Sequence, residues 1–262
     1  MVQGKKSVFG CAANFLRGRK CIFCGSFKVS RTRRGYLRCR KKGCGKQKSL
    51  RLIRTEVAIV QGFYRQQPAY RLSNDLGFDY QTITRVYQKL REAIYHVAEL
   101  EGGKLNGEVE MDESYFGGRR KGKRGRGAAG KTIVFGLLER DGKVYTRVVE
   151  QVSKEELMAI IRKKTRKGSV YYTDKFRSYN SLKRLGKHHR LDHSKAFAYR
   201  GRNHINGIEG FWSFAKHILY NYRGVSKYHF PMYLKEVEYR FNHRSDNLFK
   251  LFMGIYFGYV SH

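Results

Sequence analysis

The chain has 262 residues, with 55 Lys and Arg against 21 Asp and Glu, giving a formal net charge of +34 and a pI near 10.2. Its 41% hydrophobic and 14% aromatic content excludes a disordered basic tail, and no apolar run reaches the roughly 18–20 residues of a membrane span. The opening MVQGKKSVFGCAANFL lacks a signal-peptide core, so the sequence reads as a cytoplasmic, nucleoid-associated protein with no membrane partner, whose excess charge attracts nucleic acid because neutralised phosphates release condensed counterions.

The first fifty residues form a cationic module. No acid precedes Glu56, by which point 17 Lys and Arg have passed. Four of the five cysteines fall here, Cys21 and Cys24 in CIFC and Cys39 and Cys44 in CRKKGC. Two short loops that each bring two thiolates to one side of an ion, joined by a hairpin, make the pattern of a zinc ribbon over 1–50. So small a segment builds little core, and the Zn2+ would supply its folding energy. Two disulfides or free thiols are the competing readings, the first disfavoured in a reducing compartment. Cys11 is left over and is assigned a structural place.

Residues 51–103 read as helical. Ser49–Phe63 has helical apolar spacing, Pro68 opens a second element with Ala69, Leu72 and Leu76, and Gly77 breaks it. Tyr80 to Leu100 then repeats Ile83, Val86, Tyr87, Leu90, Ile94 and Val97 at helical intervals. Helix, tight turn, longer helix is the layout of a helix-turn-helix. Its second helix offers Gln81, Thr82, Thr84, Arg85, Gln88 and Lys89 to bases or phosphates. A plain helical hairpin has the same periodicity, and the cationic neighbour favours the DNA-binding reading.

Beyond Glu101-Gly102-Gly103-Lys104 the pattern changes. Glu108–Tyr115 alternates as a strand, Lys131–Glu139 is a second strand, and Asp141-Gly142 turns into a third over Lys143–Val152. Ser153 and Glu156 form a capping box for a helix through Leu157, Ile160 and Ile161. Ser169–Thr173 is a short strand ending at Asp174. A helix over about Tyr179–Leu185, a fifth strand over His188–Asp192 and a long helix over Asn203–Asn221 follow. This order predicts an α/β fold, a ribonuclease-H-like catalytic domain over 104–222 with a mixed five-stranded sheet flanked by helices. Residues 223–262 read as a C-terminal helical extension. Within it, Tyr228–Arg244 is a helix covering the catalytic domain, and Ser245–His262 is apolar enough to dock or self-associate.

In that topology Asp112, on the first strand, and Asp174, at the end of the fourth, lie on neighbouring strands. Glu209 sits beside Ile208, Phe211 and Trp212, an unfavourable address for an unpartnered acid. Three converging acids would make an all-oxygen site for Mg2+ or Mn2+. Two such ions about 4 Å apart activate an attacking oxygen and stabilise the leaving one in phosphodiester displacement.

The strings GEVEMDESYFGGRRKGKRGRGAAGK, YYTDKFRSY and HINGIEGFWSFAK together resemble small insertion-sequence transposases of the DDE superfamily with an N-terminal zinc ribbon. The resemblance covers nearly the whole chain. It implies that Asp112, Asp174 and a third residue on the last catalytic helix bind the metals. Between Asp174 and Glu209 lie 34 residues, close to the spacing familiar in DDE enzymes, which favours Glu209. Asn206, one turn earlier on the same face, is the alternative third ligand. The resemblance also places Lys216 near the scissile phosphate; the plain reading is a solvated lysine.

Glu113 alternates to the opposite face from Asp112 and reads as an ion-pair partner, whereas Glu110 shares the Asp112 face and is a candidate support for the ligands. Asp192 is assigned a structural place or one supporting the ligands; His193, His204 and His243 could touch DNA or metal but read as hydrogen-bonded or surface residues, and Trp212 could stack on a base but reads as core. The segment after the first strand carries Arg119, Arg120, Lys121, Lys123, Arg124 and Arg126 among glycines, a cationic loop suited to phosphates or an ordinary solvated hairpin. The resulting expectation is a transposase that binds terminal inverted repeats, frees 3′-OH ends and joins them to target DNA as a homodimer or larger assembly. A DNA-binding regulator with an inactive nuclease-like domain and a metal-dependent nuclease without strand transfer are the alternatives.

Overall fold

The computed structural model describes residues 21–117, 131–140, 142–174, 177–190, 205–222 and 224–259. They divide into two compact units, Met1–Ile94 with Ser245–His262, and Tyr95–Arg244.

In the first unit, strands β1 (Val29–Arg31), β2 (Tyr36–Cys39) and β3 (Gln47–Ser49) form an antiparallel sheet. Helices α1 (Leu50–Tyr64), α2 (Ala69–Leu76) and α3 (Tyr80–Glu101) follow, with the unit boundary inside α3. Gly77 ends α2 in the left-handed region at φ 65°, where a side chain is disfavoured. Asp79 then caps α3, accepting the Thr82 N–H at 2.9 Å. Ile53, Val57, Val60 and Phe63 of α1 are buried, and the Phe63 ring meets Tyr87 and Phe252 edge-on at 5.1 and 5.4 Å. Phe252 belongs to the terminal helix Leu248–Tyr259, so the end of the chain returns to this unit and does not join the helix before it as one extension. Phe252, Met253, Tyr256 and Phe257 of that helix are buried. Lys48 of β3 pairs with Glu56 of α1 at 2.7 Å, and burial with the adjacent Glu56 charge raises the Tyr256 phenol.

The second unit is built on a five-stranded sheet. Strands β4 (Glu108–Phe116), β5 (Thr132–Glu139), β6 (Val144–Val149), β7 (Val170–Thr173) and β8 (Lys187–Arg190) lie in the order β6-β5-β4-β7-β8. The first three pair antiparallel and β4-β7-β8 parallel, the order of a ribonuclease-H-like fold. Alternation along β4 sends Val109 and Met111 to one core, which includes Leu157, Ile160 and Ile161 of helix α4 (Lys154–Lys164). Phe116 joins the other, with Ile208, Phe211 and Trp212 of α5 (Asn206–Leu219) and Leu234 and Val237 of α6 (Phe230–Asn242). The sheet therefore has helices on both faces, and Asp112 belongs to the α5 face.

Two local features differ from the expectation. Ser153 accepts the Glu156 N–H at 3.2 Å, but the Glu156 carboxylate takes the N–H groups of Glu150 and Gln151 at 3.2 and 3.1 Å and so ties the preceding loop. Residues Arg177–Arg184 form a 3-10 helix in place of the expected α-helix.

Helix α6 carries more buried charge than its apolar positions suggested. Glu238 accepts both the N–H and the Oγ1 of Thr146 at 2.7 Å, and Lys235 bridges Glu238 and Glu99 at 3.0 and 2.8 Å. Burial alone would depress the Lys235 ammonium, but those carboxylates outweigh it and raise it. Among the described residues no helix is long and apolar enough to cross a membrane.

Gly136 of β5 faces Asp112 across the ladder. A Cβ there would stand 2.5 Å from Trp212 Cζ2 and 3.0 Å from Ile208 Cδ1, so its absence lets α5 lie on the sheet. Gly136→Ala is expected to lower unfolding free energy by about 1–3 kcal/mol through overpacking and to shift the fluorescence of the single tryptophan. Urea denaturation followed at that tryptophan checks both.

Candidate functional site

Two clusters of chemistry-bearing side chains stand out, one in each unit. In the first, Cys21, Cys24, Cys39 and Cys44 converge with all sulfurs within 4.8 Å of one another. Cys21 Sγ lies 3.9 Å from Cys44 Sγ, and Cys24 Sγ 3.6 Å from Cys39 Sγ. A disulfide needs about 2.05 Å, so neither pair is bonded. A tetrahedral thiolate cage around Zn2+, with Zn–S of about 2.3 Å, has edges of about 3.8 Å, which both separations match. Backbone N–H groups of Phe23 and Lys41 point at Cys21 and Cys39, each at 3.4 Å. The Ser26 N–H lowers the Cys24 thiol to about 7, whereas burial pushes Cys39 up to about 12. A cation among the sulfurs would relieve the cost of ionising the buried thiol. These four residues could hold a metal ion.

The second cluster lies where the central strand β4 passes the C-terminal end of β7. The parallel register pairs Glu108 with Val170, Val109 with Tyr171 and Glu110 with Tyr172. Continuing that offset sets Asp174 beside Asp112. Asp112 is half-buried, Asp174 half-buried, and Glu209 and Asn206 exposed in the first turn of α5. Burial pushes the Asp112 carboxyl up to about 6, and the charges of Asp174 and Glu209 add to the rise. The Glu113 backbone N–H and the Trp212 indole N–H oppose it. That indole N–H is buried without a partner at full hydrogen-bond geometry; its contact with Asp112 is therefore a loose one. Among the described residues only the cysteines bring three or more ligand atoms within 4.8 Å, so the three carboxylates stand further apart than the thiols, close enough to repel.

Trp212 is buried in the core as its apolar neighbours imply, and it also faces Asp112. The environment of Glu110, which is 1% exposed, is not legible in the sequence. Glu110 Oε2 accepts the Ile208 backbone N–H at 2.9 Å and Oε1 accepts Arg140 Nε at 2.9 Å. The signal was its parity with Asp112 combined with burial, since a buried carboxylate requires partners.

Lys216 is exposed two turns after Glu209. Arg85 and Lys89 are exposed on α3, opposite its buried Ile83, Val86 and Leu90. His243 pairs with Glu101 at 3.1 Å, in keeping with a structural role. Arg119, Arg120, Lys121, Lys123, Arg124 and Arg126, with Cys11, Asp192, His193 and His204, lie outside the described residues.

The sheet order is that of a ribonuclease-H-like fold, with acids where its central strand β4 passes the C-terminal end of the parallel strand β7. Residues 104–242 match the profile of the ISXO2-like transposase domain, and the chain belongs to that family of DNA-processing enzymes. A Haemophilus influenzae protein called an uncharacterized transposase-like protein is 48% identical over 101 residues, 38% of this chain and 81% of that one. The simian T-cell lymphotropic virus intasome has partial structural likeness, at 12% identity over 71% of this chain and 68% of that one, with a TM-score of 0.38. The Mos1 strand transfer complex is 14% identical over 71% and 76%, with a TM-score of 0.25. At these scores neither likeness adds to the strand order already described.

Because its folded value lies above the ordinary 3.8, Asp112 favours the fold when protonated. That contribution is present below about pH 4 and is lost as pH rises through about 6. In metal-free protein Asp112→Asn is therefore expected to melt above wild type at pH 7.5, with the gap closing below pH 4. Calorimetry in chelator measures this, and a lower melting temperature for the variant at pH 7.5 contradicts it.

Proposed function

We propose that the chain is the transposase of an insertion sequence, which binds the terminal inverted repeats, hydrolyses phosphodiesters to free 3′-OH ends and transfers those ends to target DNA. What carries this reading is the β4–β7 register, whose offset leads Asp174 toward Asp112, beneath a helix bearing Glu209 packed on the same face, in a chain of a transposase family.

The donor set suits hard divalent cations, since carboxylate oxygens on adjacent strands and a facing helix leave room for water and phosphate oxygens. Asp112 and Asp174 would hold such ions from the sheet. Glu209 would complete the set from α5, favoured over Asn206 because a carboxylate compensates two divalent ions better than a neutral amide. Held by these residues, a pair of Mg2+ or Mn2+ ions would supply activation of the attacking oxygen and stabilisation of the leaving one. Lys216 offers its ammonium to a phosphate two turns along the helix, and the cationic stretch Arg119–Arg126 supplies sequence-independent attraction to the backbone. In the first unit, Zn2+ at the four cysteines would fix the ribbon, and Arg85 and Lys89 would meet DNA from α3. Joining two element ends at one target requires two active sites, which favours a homodimer or larger assembly.

Strand transfer with paired element ends and Mg2+ tests the reading. Asp112→Ala, Asp174→Ala and Glu209→Ala are each expected to lower joining by at least about 100-fold with end binding retained. Full activity in Glu209→Ala with loss in Asn206→Ala would move the third ligand. Cleavage without joining would favour a nuclease, and binding without cleavage a regulator.

Elemental analysis is expected to find about one zinc per chain. Cys39→Ser or chelation should remove it and abolish hydrogen-exchange protection in 21–49, while full protection in metal-free protein contradicts a structural zinc.

A further inference from the structure

We infer that Glu110 is a positioning residue that fixes the first turn of α5, and with it Glu209 and Asn206, over Asp112. This rests on the reading of the three acids as ion ligands. Helix α5 begins without a side-chain cap of its own, its N-cap position being Ile205. Its orphan donors need a partner, and the buried Glu110 carboxylate reaches across from β4 to take the Ile208 N–H at 2.9 Å. Negative charge at a helix N-terminus is doubly suited to that place. A Cβ at Gly207 would stand 2.9 Å from Glu110 Oε2 and 2.8 Å from Leu138 Cδ2, so the glycine of the Asn206-Gly207-Ile208-Glu209 stretch permits the approach.

The second carboxylate oxygen is committed as well. Arg140 Nε donates to Glu110 Oε1 at 2.9 Å, and Arg140 Nη1 donates to Glu108 Oε2 at 3.3 Å. The same guanidinium lies 3.7 Å from the centre of the Tyr172 ring, whose hydroxyl donates to Glu108 Oε1 at 2.6 Å. Tyr172 pairs in register with Glu110 and stands two residues before Asp174. One network therefore touches β4, which carries Asp112, β7, which leads into Asp174, and α5, which carries Glu209. With both oxygens engaged and an arginine alongside, Glu110 is a support for the acids and not a further ion ligand.

The full chain, first metal-free and then titrated with Mn2+, provides the test. In Glu110→Ala the amides of Ile208 and Glu209 are expected to exchange about tenfold faster while residues 212–219 keep their protection. The Mn2+ midpoint, read from the single tryptophan, should weaken about 10- to 100-fold, with DNA-end binding changed less than about threefold. Gly207→Ala, which leaves Glu110 in place and presses on its carboxylate, should reproduce both effects and decides the matter if Glu110→Ala does not fold. Wild-type exchange at Ile208 with a wild-type Mn2+ midpoint, or protection lost evenly along α5, would overturn the inference. Asp112→Ala separates the two levels. If it still binds Mn2+ as wild type does, the ion-site reading fails, whereas the exchange result continues to report on the Glu110 contact alone.

Discussion

The arrangement depends on the parallel pairing of β4 with β7. The two strands are far apart along the chain, yet their register, Glu110 against Tyr172, carries Asp174 to the level of Asp112. The grouping of acids at the end of β7 follows from that alignment. A shift of one residue would turn the β4 side chains to the opposite face and separate the acids. The alignment is held by apolar burial on both faces, with Val109, Met111 and Tyr171 in one core and Phe116 and Tyr172 in the other. A partly buried polar chain, Glu110 to Arg140 to Glu108 to Tyr172, spans the same two strands. Hydrophobic packing supplies the bulk of the stability, and the directional bonds select the register.

Against that rigid background the carboxylates are placed unfavourably for the fold alone. Burial and like charge raise Asp112 to about 6, so the ionised site works against folding in the absence of cations. Such a cost is characteristic of functional sites, where groups are held for binding at the expense of stability. The surrounding structure tolerates it because α5 is seated closely, with Trp212 against Gly136 and Gly207 against Glu110. Two glycines, one on the strand and one on the helix, let backbone and side chains approach where any Cβ would intervene. The cysteine cluster repeats the principle in the first unit, with thiols gathered at 3.6 and 3.9 Å in a segment whose own core is slight.

Much of this was legible in the residues because strand alternation has a strict period. The alternating run over Glu108–Tyr115 gave both the strand and the face of Asp112, and the apolar run ending at Thr173 located Asp174. Two cysteine pairs at short spacing located the thiol cluster. What alternation cannot give is the partner across the fold. Glu110 was assigned to the correct face, but the Ile208 N–H and Arg140 that satisfy it lie 98 and 30 residues away. Trp212 read as core for the same reason: apolar periodicity reports burial and says nothing of where an indole N–H points. The charges of α6 were hidden by the assumption that buried positions are apolar, although Lys235, Glu236, Glu238 and Arg240 are all buried and pair within the interior. Short polar segments such as Arg177–Arg184, with weak propensity for any helix, are decided by the ends they connect.

The central claim is that Asp112, Asp174 and a residue of α5 share divalent cations. Anomalous diffraction from crystals of the full chain soaked in Mn2+ addresses it without reference to activity. The account predicts strong peaks beside β4 at the C-terminal end of β7, within about 2.0–2.3 Å of Asp112 and Asp174 oxygens, with Glu209 or Asn206 completing the coordination. Saturating Mn2+ that leaves this position empty, with those side chains well ordered, would contradict it.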